Sequence, residues 1–447
     1  MNLNILDKSY DVRWIYPSEI NEEFYYKIWR GFWELMTESS FAVWYDARLS
    51  SEFLKDALIK WILDSWKNVI DIGLCSTDMI YFSSGFYTDV EVGIMITASH
   101  NPKEYNWIKC CQKFAVPINM KDFWKKLRNH IENDKFNEIS NSWTFIQRNI
   151  TDDWVDHILS FIDTKNIKPL KVVADAWNWV AGVFMEKLAE KLWIELIPLF
   201  FEPDWRFPNH HPSPIEPENM EDLIRKVLET WSDLWVAFDG DADRMYICDE
   251  KWEVWSGTIT SAMISKVMLQ KNPNKKIVYN AVCGNIVPET IVNNSWIPLK
   301  EKVGHVYIKE KMNLDPEIIF WTEHSGHYYF RKNWNADSGV IAFVIILELL
   351  SLQSKKPSET KEEFEIYYSI DEKNSKVESV SKKLAELKEI YKDWEIDELD
   401  WLTIRFEDYW FNVRPSSNEP LLRLNIEAKN KEILYHKEKE LLEIIKR

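Results

Sequence analysis

The chain has 447 residues, with 72 acidic against 55 basic side chains and a formal net charge of -17. That charge disfavours nucleic acid and anionic membrane as main partners, and an anionic ligand would need a cleft where Arg and Lys converge. At about 150 residues per domain the length suggests roughly three domains, with room for several cores. No basic segment followed by an apolar stretch opens the sequence, and no apolar run is long enough for a bilayer span. The five cysteines (Cys75, Cys110, Cys111, Cys248 and Cys283) are odd in number and lack metal-ligand spacing, so a reduced, cytoplasmic protein is expected.

In chain order, residues 1–146 run strand, helix, strand and end in polar text at 137–141. A strand-helix-strand unit follows over 147–248, with strands at 171–175 and 234–238. A third unit, 249–360, has strands at 276–279 and 317–320, and the charged stretch 353–363 reads as a linker. The last segment, 361–447, differs. Residues 374–391 are helical by period, 402–407, 410–413 and 421–426 are strands, and 429 onward is an amphipathic helix. Three α/β units therefore precede one α+β unit.

The composition contains an anomaly: 24 Trp and only 11 Gly, where average glycine usage is about 7%. Trp stands where turn chemistry asks for Gly. It is the fourth residue of Asp249-Glu250-Lys251-Trp252, and it follows Asp in Asp204-Trp205, Asp393-Trp394 and Asp400-Trp401. Many of these codons are expected to be UGA, written as Trp but decoded as Gly in the source organism. Trp410, Trp124 and Trp154 are candidates for genuine tryptophan.

Four loops carry chemistry. Thr97-Ala98-Ser99-His100-Asn101-Pro102, continuing to Lys109, follows the apolar strand Val92–Ile96. Ligands of α/β sheets gather at such strand ends, and a serine there becomes a nucleophile if a base or metal activates it. Taken alone, the same text could be a helix N-cap. Asp239-Gly240-Asp241-Ala242-Asp243-Arg244 follows another apolar strand. Three carboxylates at alternate positions repel one another unless a hard divalent cation joins them through oxygen. Glu323-His324-Ser325-Gly326-His327 again follows a strand, and Arg414-Pro415-Ser416-Ser417-Asn418-Glu419-Pro420, with Arg423 beyond, offers what a phosphate needs.

Together these loops resemble the α-D-phosphohexomutase superfamily, most closely its phosphomannomutase/phosphoglucomutase branch. Tyr10-Asp11-Val12-Arg13-Trp14, Tyr45-Asp46-Ala47-Arg48, residues 202–210 and Val303-Gly304-His305 add to the likeness. The resemblance covers nearly the whole chain. It also puts Gly where this chain has Trp14, Trp107, Trp177, Trp179, Trp205 and Trp321.

The resemblance implies an α/β fold: three consecutive mixed-sheet α/β domains plus a C-terminal α+β domain around a central cleft. The expected domains are 1–146 with the phosphoserine loop, 147–248 with the metal loop, 249–360 with the sugar loop and 361–447 with the phosphate loop. It implies an intramolecular phosphotransferase that interconverts hexose 6-phosphate and hexose 1-phosphate, with mannose or glucose as the sugar. Ser99 would carry the phosphoryl group. Asp239, Asp241 and Asp243, with phospho-Ser99, would hold one Mg²⁺ per chain, and hexose 1,6-bisphosphate would be intermediate and activator. Arg13, His100, Lys109 and Arg244 would surround the phosphoryl group, with Lys109 as candidate acid/base and His327 in support. Glu323 and Ser325 would bind sugar hydroxyls, and His305 would sense sugar orientation. Arg414, Ser416, Ser417, Asn418 and Arg423 would grip the other phosphate. The implied partner is a small phosphosugar, with no nucleic acid or membrane, and the implied state is a monomer or weak dimer. Ser417-Asn418 departs from the family's Asn-Thr or Gly-Thr at that place. The alternatives are a phosphoglucosamine mutase, a metal-dependent phosphatase, or a non-catalytic sugar-phosphate binding protein if the Trp residues are genuine.

Overall fold

The computed structural model describes residues 14, 15, 17, 18, 21–97, 105–118, 120–133, 143–204, 206, 208, 209, 221–370, 372–415 and 421–447. For 14, 24, 25, 120–124, 221–224, 227, 305 and 306 it describes the backbone alone. The chain divides into two compact units, one of residues 1–254 with 329–354, the other of 255–328 with 355–447.

The first unit holds two mixed sheets. In one, strands Val92–Ile96, Ser40–Tyr45, Asn68–Leu74 and Phe145–Gln147 are parallel neighbours, and Ile108–Gln112 adds antiparallel to Val92–Ile96. The central strands are apolar at nearly every position, as strands covered on both faces must be. Helices Glu22–Leu35 and Leu49–Asp64 supply Ile28, Phe32, Leu54, Leu58 and Ile62 to that core. In the other sheet Glu195–Leu199, Lys171–Asp175 and Leu234–Phe238 are parallel, and Met245–Asp249 closes it antiparallel. The hairpin between the last two strands is the acidic loop.

Helix Gly339–Leu352 is apolar all round and buried along most of its length, as a helix in the middle of a core has to be. Its one acid, Glu348, accepts hydrogen bonds from the Asp163 amide at 2.9 Å and from Asn166 at 3.1 Å. Gly339 is required at its start. A Cβ there would lie 2.7 Å from the Arg244 carbonyl carbon, so only glycine lets this helix approach the end of the acidic loop.

The second unit contains the parallel strands Leu299–Glu301, Lys276–Asn280 and Ile318–Thr322. It also contains an antiparallel sheet in which Leu421–Ala428 and Tyr409–Pro415 are central. Helices Val380–Ile390 and Lys431–Lys446 bury Leu387, Leu441 and Ile445 against that sheet.

Two expectations need correction. The 353–363 linker contains helix Pro357–Glu362: Pro357 occupies its first position, and the Glu359 carboxylate accepts the Lys356 amide at 2.8 Å. These are helix-start signals that a charged composition hid. The segment 374–391 is not one helix. Lys373–Lys376 is a strand paired with 421–424, and the helix begins only after Ser379, whose hydroxyl accepts the Lys382 amide at 3.4 Å. A long-range ladder outweighed the local period there.

Asp78 is fully buried at the start of helix Thr77–Phe86. It accepts Ser76 Oγ at 2.5 Å and Ser338 Oγ at 2.6 Å, tying this helix to Gly339–Leu352. Burial, opposed by the two serine hydrogen bonds, raises its carboxyl to about 7 from 3.8. The folded state therefore keeps a proton that the unfolded chain releases. Stability from this group is fully present below pH 4 and is lost as pH rises toward 7, by on the order of 4 kcal/mol. Asp78→Asn should abolish that dependence. In denaturant unfolding, the variant's stability relative to the parent should grow between pH 4 and 7; a constant difference across that range would refute the assignment.

Candidate active site

Arg244 anchors the acidic loop from inside. Its amide donates to Asp239 Oδ1 at 3.1 Å, its Nε to Oδ2 at 2.8 Å, and its Nη2 lies 2.7 Å from Oδ2. Burial works against the Arg244 charge, yet Asp239, Tyr246 and Asp243 outweigh it and hold the guanidinium firmly protonated. Ala242 takes a left-handed φ of 59°, which turns the chain sharply between Asp241 and Asp243. As a result, carboxylate oxygens of Asp239, Asp241 and Asp243 lie within 4.8 Å of one another, all buried.

Asp241 is held from the neighbouring sheet. Lys109 Nζ lies 2.7 Å from its Oδ2, and Thr77 Oγ1 donates to the same oxygen at 2.7 Å. The Thr77 amide also donates to the Asp241 carbonyl at 2.9 Å. Lys109 is on Ile108–Gln112, beside the strand that leads to Ser99. Two cations thus face three carboxylates. A buried, all-oxygen, net-negative site suits a hard divalent cation.

Tyr45-Asp46-Ala47-Arg48 proves to be scaffolding for this strand end. Arg48 Nε meets Asp46 Oδ2 at 3.1 Å with both side chains buried, and Arg48 Nη1 reaches the Tyr105 carbonyl at 3.1 Å. Ser51 donates to Asp46 at 2.6 Å, and the Asp46 amide donates to the Ile96 carbonyl at 3.1 Å. The pair fastens both ends of the segment that contains Ser99. The Trp107 indole is buried against Trp29, with centroids 5.8 Å apart, and Lys109 still reaches Asp241.

In the second unit, Glu323 is buried beyond strand Ile318–Thr322. Its amide donates to the His327 carbonyl at 3.0 Å, and its Oε1 accepts the Gly304 amide at 3.4 Å. Ser325 is exposed and His327 half-buried. Farther along, Glu372 binds Arg414 at 2.9 Å, Arg423 at 3.1 Å and Asn425 at 3.2 Å. Burial would raise the Glu372 pKa, but Arg414, Asn425 and Arg423 outweigh it and keep this carboxyl below the usual range. Arg13, Ser99, His100, Ser416, Ser417, Asn418 and the side chain of His305 lie outside the described residues. All five cysteines are free thiols, and burial pushes the Cys110 thiol well up.

Thr77 and Glu372 were missed in the sequence. Neither lies in a recognisable motif, and each acquires its role from a partner far along the chain.

Fold and site together define an α/β enzyme whose strand-end loops build an acidic cluster suited to a divalent cation beside a lysine. The family models for phosphoglucomutase/phosphomannomutase match in order: alpha/beta/alpha domain I over 4–138, domain II over 152–253, domain III over 256–367 and the C-terminal domain over 372–444. The chain belongs to the phosphoglucomutase/phosphomannomutase family. It is 34% identical to the phosphomannomutase of Vibrio cholerae, covering 98% of each chain. It is 33% identical to that of Methanocaldococcus jannaschii, covering 98% of this chain and 97% of the other. Among solved structures, a phosphoglucomutase/phosphomannomutase family protein of Burkholderia thailandensis superposes with a TM-score of 0.87 at 26% identity, covering 99% and 97%. The Paramecium phosphoglucomutase parafusin shares the fold, with a TM-score of 0.79 at 16% identity over 97% and 93%.

Thr77→Val keeps the side-chain shape but removes a hydrogen bond to Asp241. Calorimetric titration with Mg²⁺ should show affinity weakened by about tenfold, the equivalent of one lost hydrogen bond to a charged group, with recovery in Thr77→Ser. Affinity equal to the parent's in Thr77→Val would remove Thr77 from the site.

Proposed function

We propose that this chain interconverts the 6- and 1-phosphates of mannose or glucose by way of a phosphoserine at Ser99 and a hexose 1,6-bisphosphate. The observation that carries this reading is Lys109, 2.7 Å from Asp241 in a buried carboxylate triad. It puts a proton-carrying amine beside the cation loop, at the strand end that leads to Ser99. The relatives' names favour mannose and glucose over glucosamine, and the triad loop is assigned to residues 147–248 of the four-domain division.

Phosphoryl transfer depends on charge neutralisation and in-line positioning. Asp239, Asp241 and Asp243, with a phosphate oxygen on Ser99, would hold one Mg²⁺, which when bound offsets the phosphoserine charge and makes it a better donor. Arg244 fixes Asp239 and Thr77 fixes Asp241, so the carboxylates are set before ligand arrives. In its neutral form, after its own proton has been lost, Lys109 would accept the proton of the attacking sugar hydroxyl and, as the ammonium, return it in the reverse transfer. Arg13 and His100 contribute charge and hydrogen bonds around the moving phosphoryl group, with His327 in support.

Glu323 and Ser325 take sugar hydroxyls, and His305 responds to the sugar's orientation. Arg414 and Arg423, aligned by Glu372, hold the phosphate that is not reacting, together with Ser416, Ser417 and Asn418. Because the intermediate must return its other phosphate to Ser99, this grip accepts either end of a doubly phosphorylated sugar. Cleft closure around the intermediate would exclude water and suppress hydrolysis.

Ser99→Ala should remove nearly all mutase activity in a coupled assay with mannose 1-phosphate or glucose 1-phosphate, and EDTA should do the same to the parent until Mg²⁺ is restored. Near-full activity in Ser99→Ala would rule out the covalent route. Turnover of glucosamine 1-phosphate ahead of both hexoses would displace the sugar assignment, and steady release of inorganic phosphate would mark a phosphatase instead.

A further inference from the structure

Among the described residues, fifteen non-glycine positions have positive φ, and seven of them are tryptophan: Trp66, Trp177, Trp193, Trp231, Trp252, Trp334 and Trp401. Tryptophan makes up only 24 of the 447 residues, so chance does not put it in nearly half of these sites. A bulky side chain is a poor occupant of left-handed backbone, where glycine carries no steric penalty.

The local structure at five of these sites explains the backbone. Trp193 ends helix Gly182–Leu192 at φ 56° and ψ 33°, and its amide donates to the Ala189 and Glu190 carbonyls. That is the left-handed helix stop that glycine makes. Trp231 follows helix Glu221–Thr230 in the same way, and Trp66 follows helix Leu49–Asp64 and its cap Ser65. Trp252 closes the turn after Asp249, its amide donating to the Asp249 carbonyl at 3.0 Å. Trp401 follows Asp400 as glycine follows Asp in a tight turn. Trp193 and Trp231 are 86% and 90% exposed, so no packing of the indole compensates for the backbone there.

A second feature is independent of backbone angle. The indole N–H groups of Trp33, Trp44, Trp235 and Trp321 are buried with no hydrogen-bond partner, whereas buried Trp normally finds one. Two other tryptophans behave as tryptophan should. Trp410 lies in a strand and donates its indole N–H to Glu427 at 2.8 Å. Trp154 lies inside helix Thr151–Leu159, buried, edge-on to Phe184 at 4.8 Å.

We propose that the natural protein carries glycine at residues 66, 177, 193, 231, 252, 334 and 401, through UGA codons read as glycine in its source, and tryptophan at 154 and 410. Backbone conformation separates the two classes: left-handed sites are glycine, and the strand site at 410, with its indole hydrogen-bonded, and the helical site at 154, with its ring packed in the core, are tryptophan. The chain as written therefore carries large side chains at helix stops and turns that the fold built for none, and an enzyme made from the literal sequence differs from the natural one at all seven.

The nucleotide sequence decides it. The expected result is UGA at the seven positions and UGG at 154 and 410. UGG at 193 or 231, where exposure is nearly complete, overturns the proposal, and UGA at 154 or 410 overturns the separation of classes. Peptide mass spectrometry of protein from the source organism provides a second readout: glycine masses at 193 and 231 support recoding, and tryptophan masses overturn it. In thermal unfolding, a chain expressed with glycine at all seven positions should melt at least about 5 °C above the chain as written. An equal or lower midpoint counts against the assignment.

Discussion

Like charges held close together in a buried turn set the terms for the first unit of this molecule. Asp239, Asp241 and Asp243 come within 4.8 Å because Ala242 turns the chain back on itself. In a poorly polarisable interior that crowding is unfavourable unless each carboxylate has a partner of its own. Arg244 serves Asp239 from within the loop, and Lys109 and Thr77 serve Asp241 from the adjoining sheet. The cluster as a whole stays net negative, which suits a hard divalent cation. Gly339 belongs to the same arrangement, since the helix it begins packs against the Arg244 backbone.

The second unit meets the same difficulty with the sign reversed. Arg414 and Arg423 converge on one face of neighbouring strands, and Glu372 lies between them. One carboxylate shared by two guanidiniums leaves a net positive patch of fixed geometry. A cationic patch of this kind suits a phosphate group. This also accounts for an acidic enzyme binding an anionic substrate: what matters is the local placement of a few cations, whatever the net charge.

The tryptophan positions show how strongly backbone geometry constrains side-chain identity. Helix stops and tight turns recur at 66, 193, 231, 252 and 401 with the conformations glycine adopts, although the written residue is the largest of all. The rest of the chain, through its strands and helices, imposes those turns on the backbone.

Much of the site was legible because its residues are neighbours in sequence. Asp239 to Arg244 is one loop, and alternation of carboxylates along it already implies convergence on a cation. The apolar strands at 171–175 and 234–238 were equally plain, because strands covered on both faces are apolar without interruption. The strand at 373–376 and the helix at 357–362 escaped notice, one because its pairing partner lies at 421–424, the other because its capping signals were embedded in charged text. Local chemistry, meaning which loops hold acids, hydroxyls and arginines and which strands precede them, was determined by the sequence alone. Only the tertiary structure decided that Thr77 and Lys109 meet Asp241, that Asp46 and Arg48 are scaffold, and that Glu372 binds two arginines. Such contacts join residues tens to more than a hundred positions apart, and one chain read in one dimension carries no record of which distant side chains a sheet will bring within hydrogen-bonding reach.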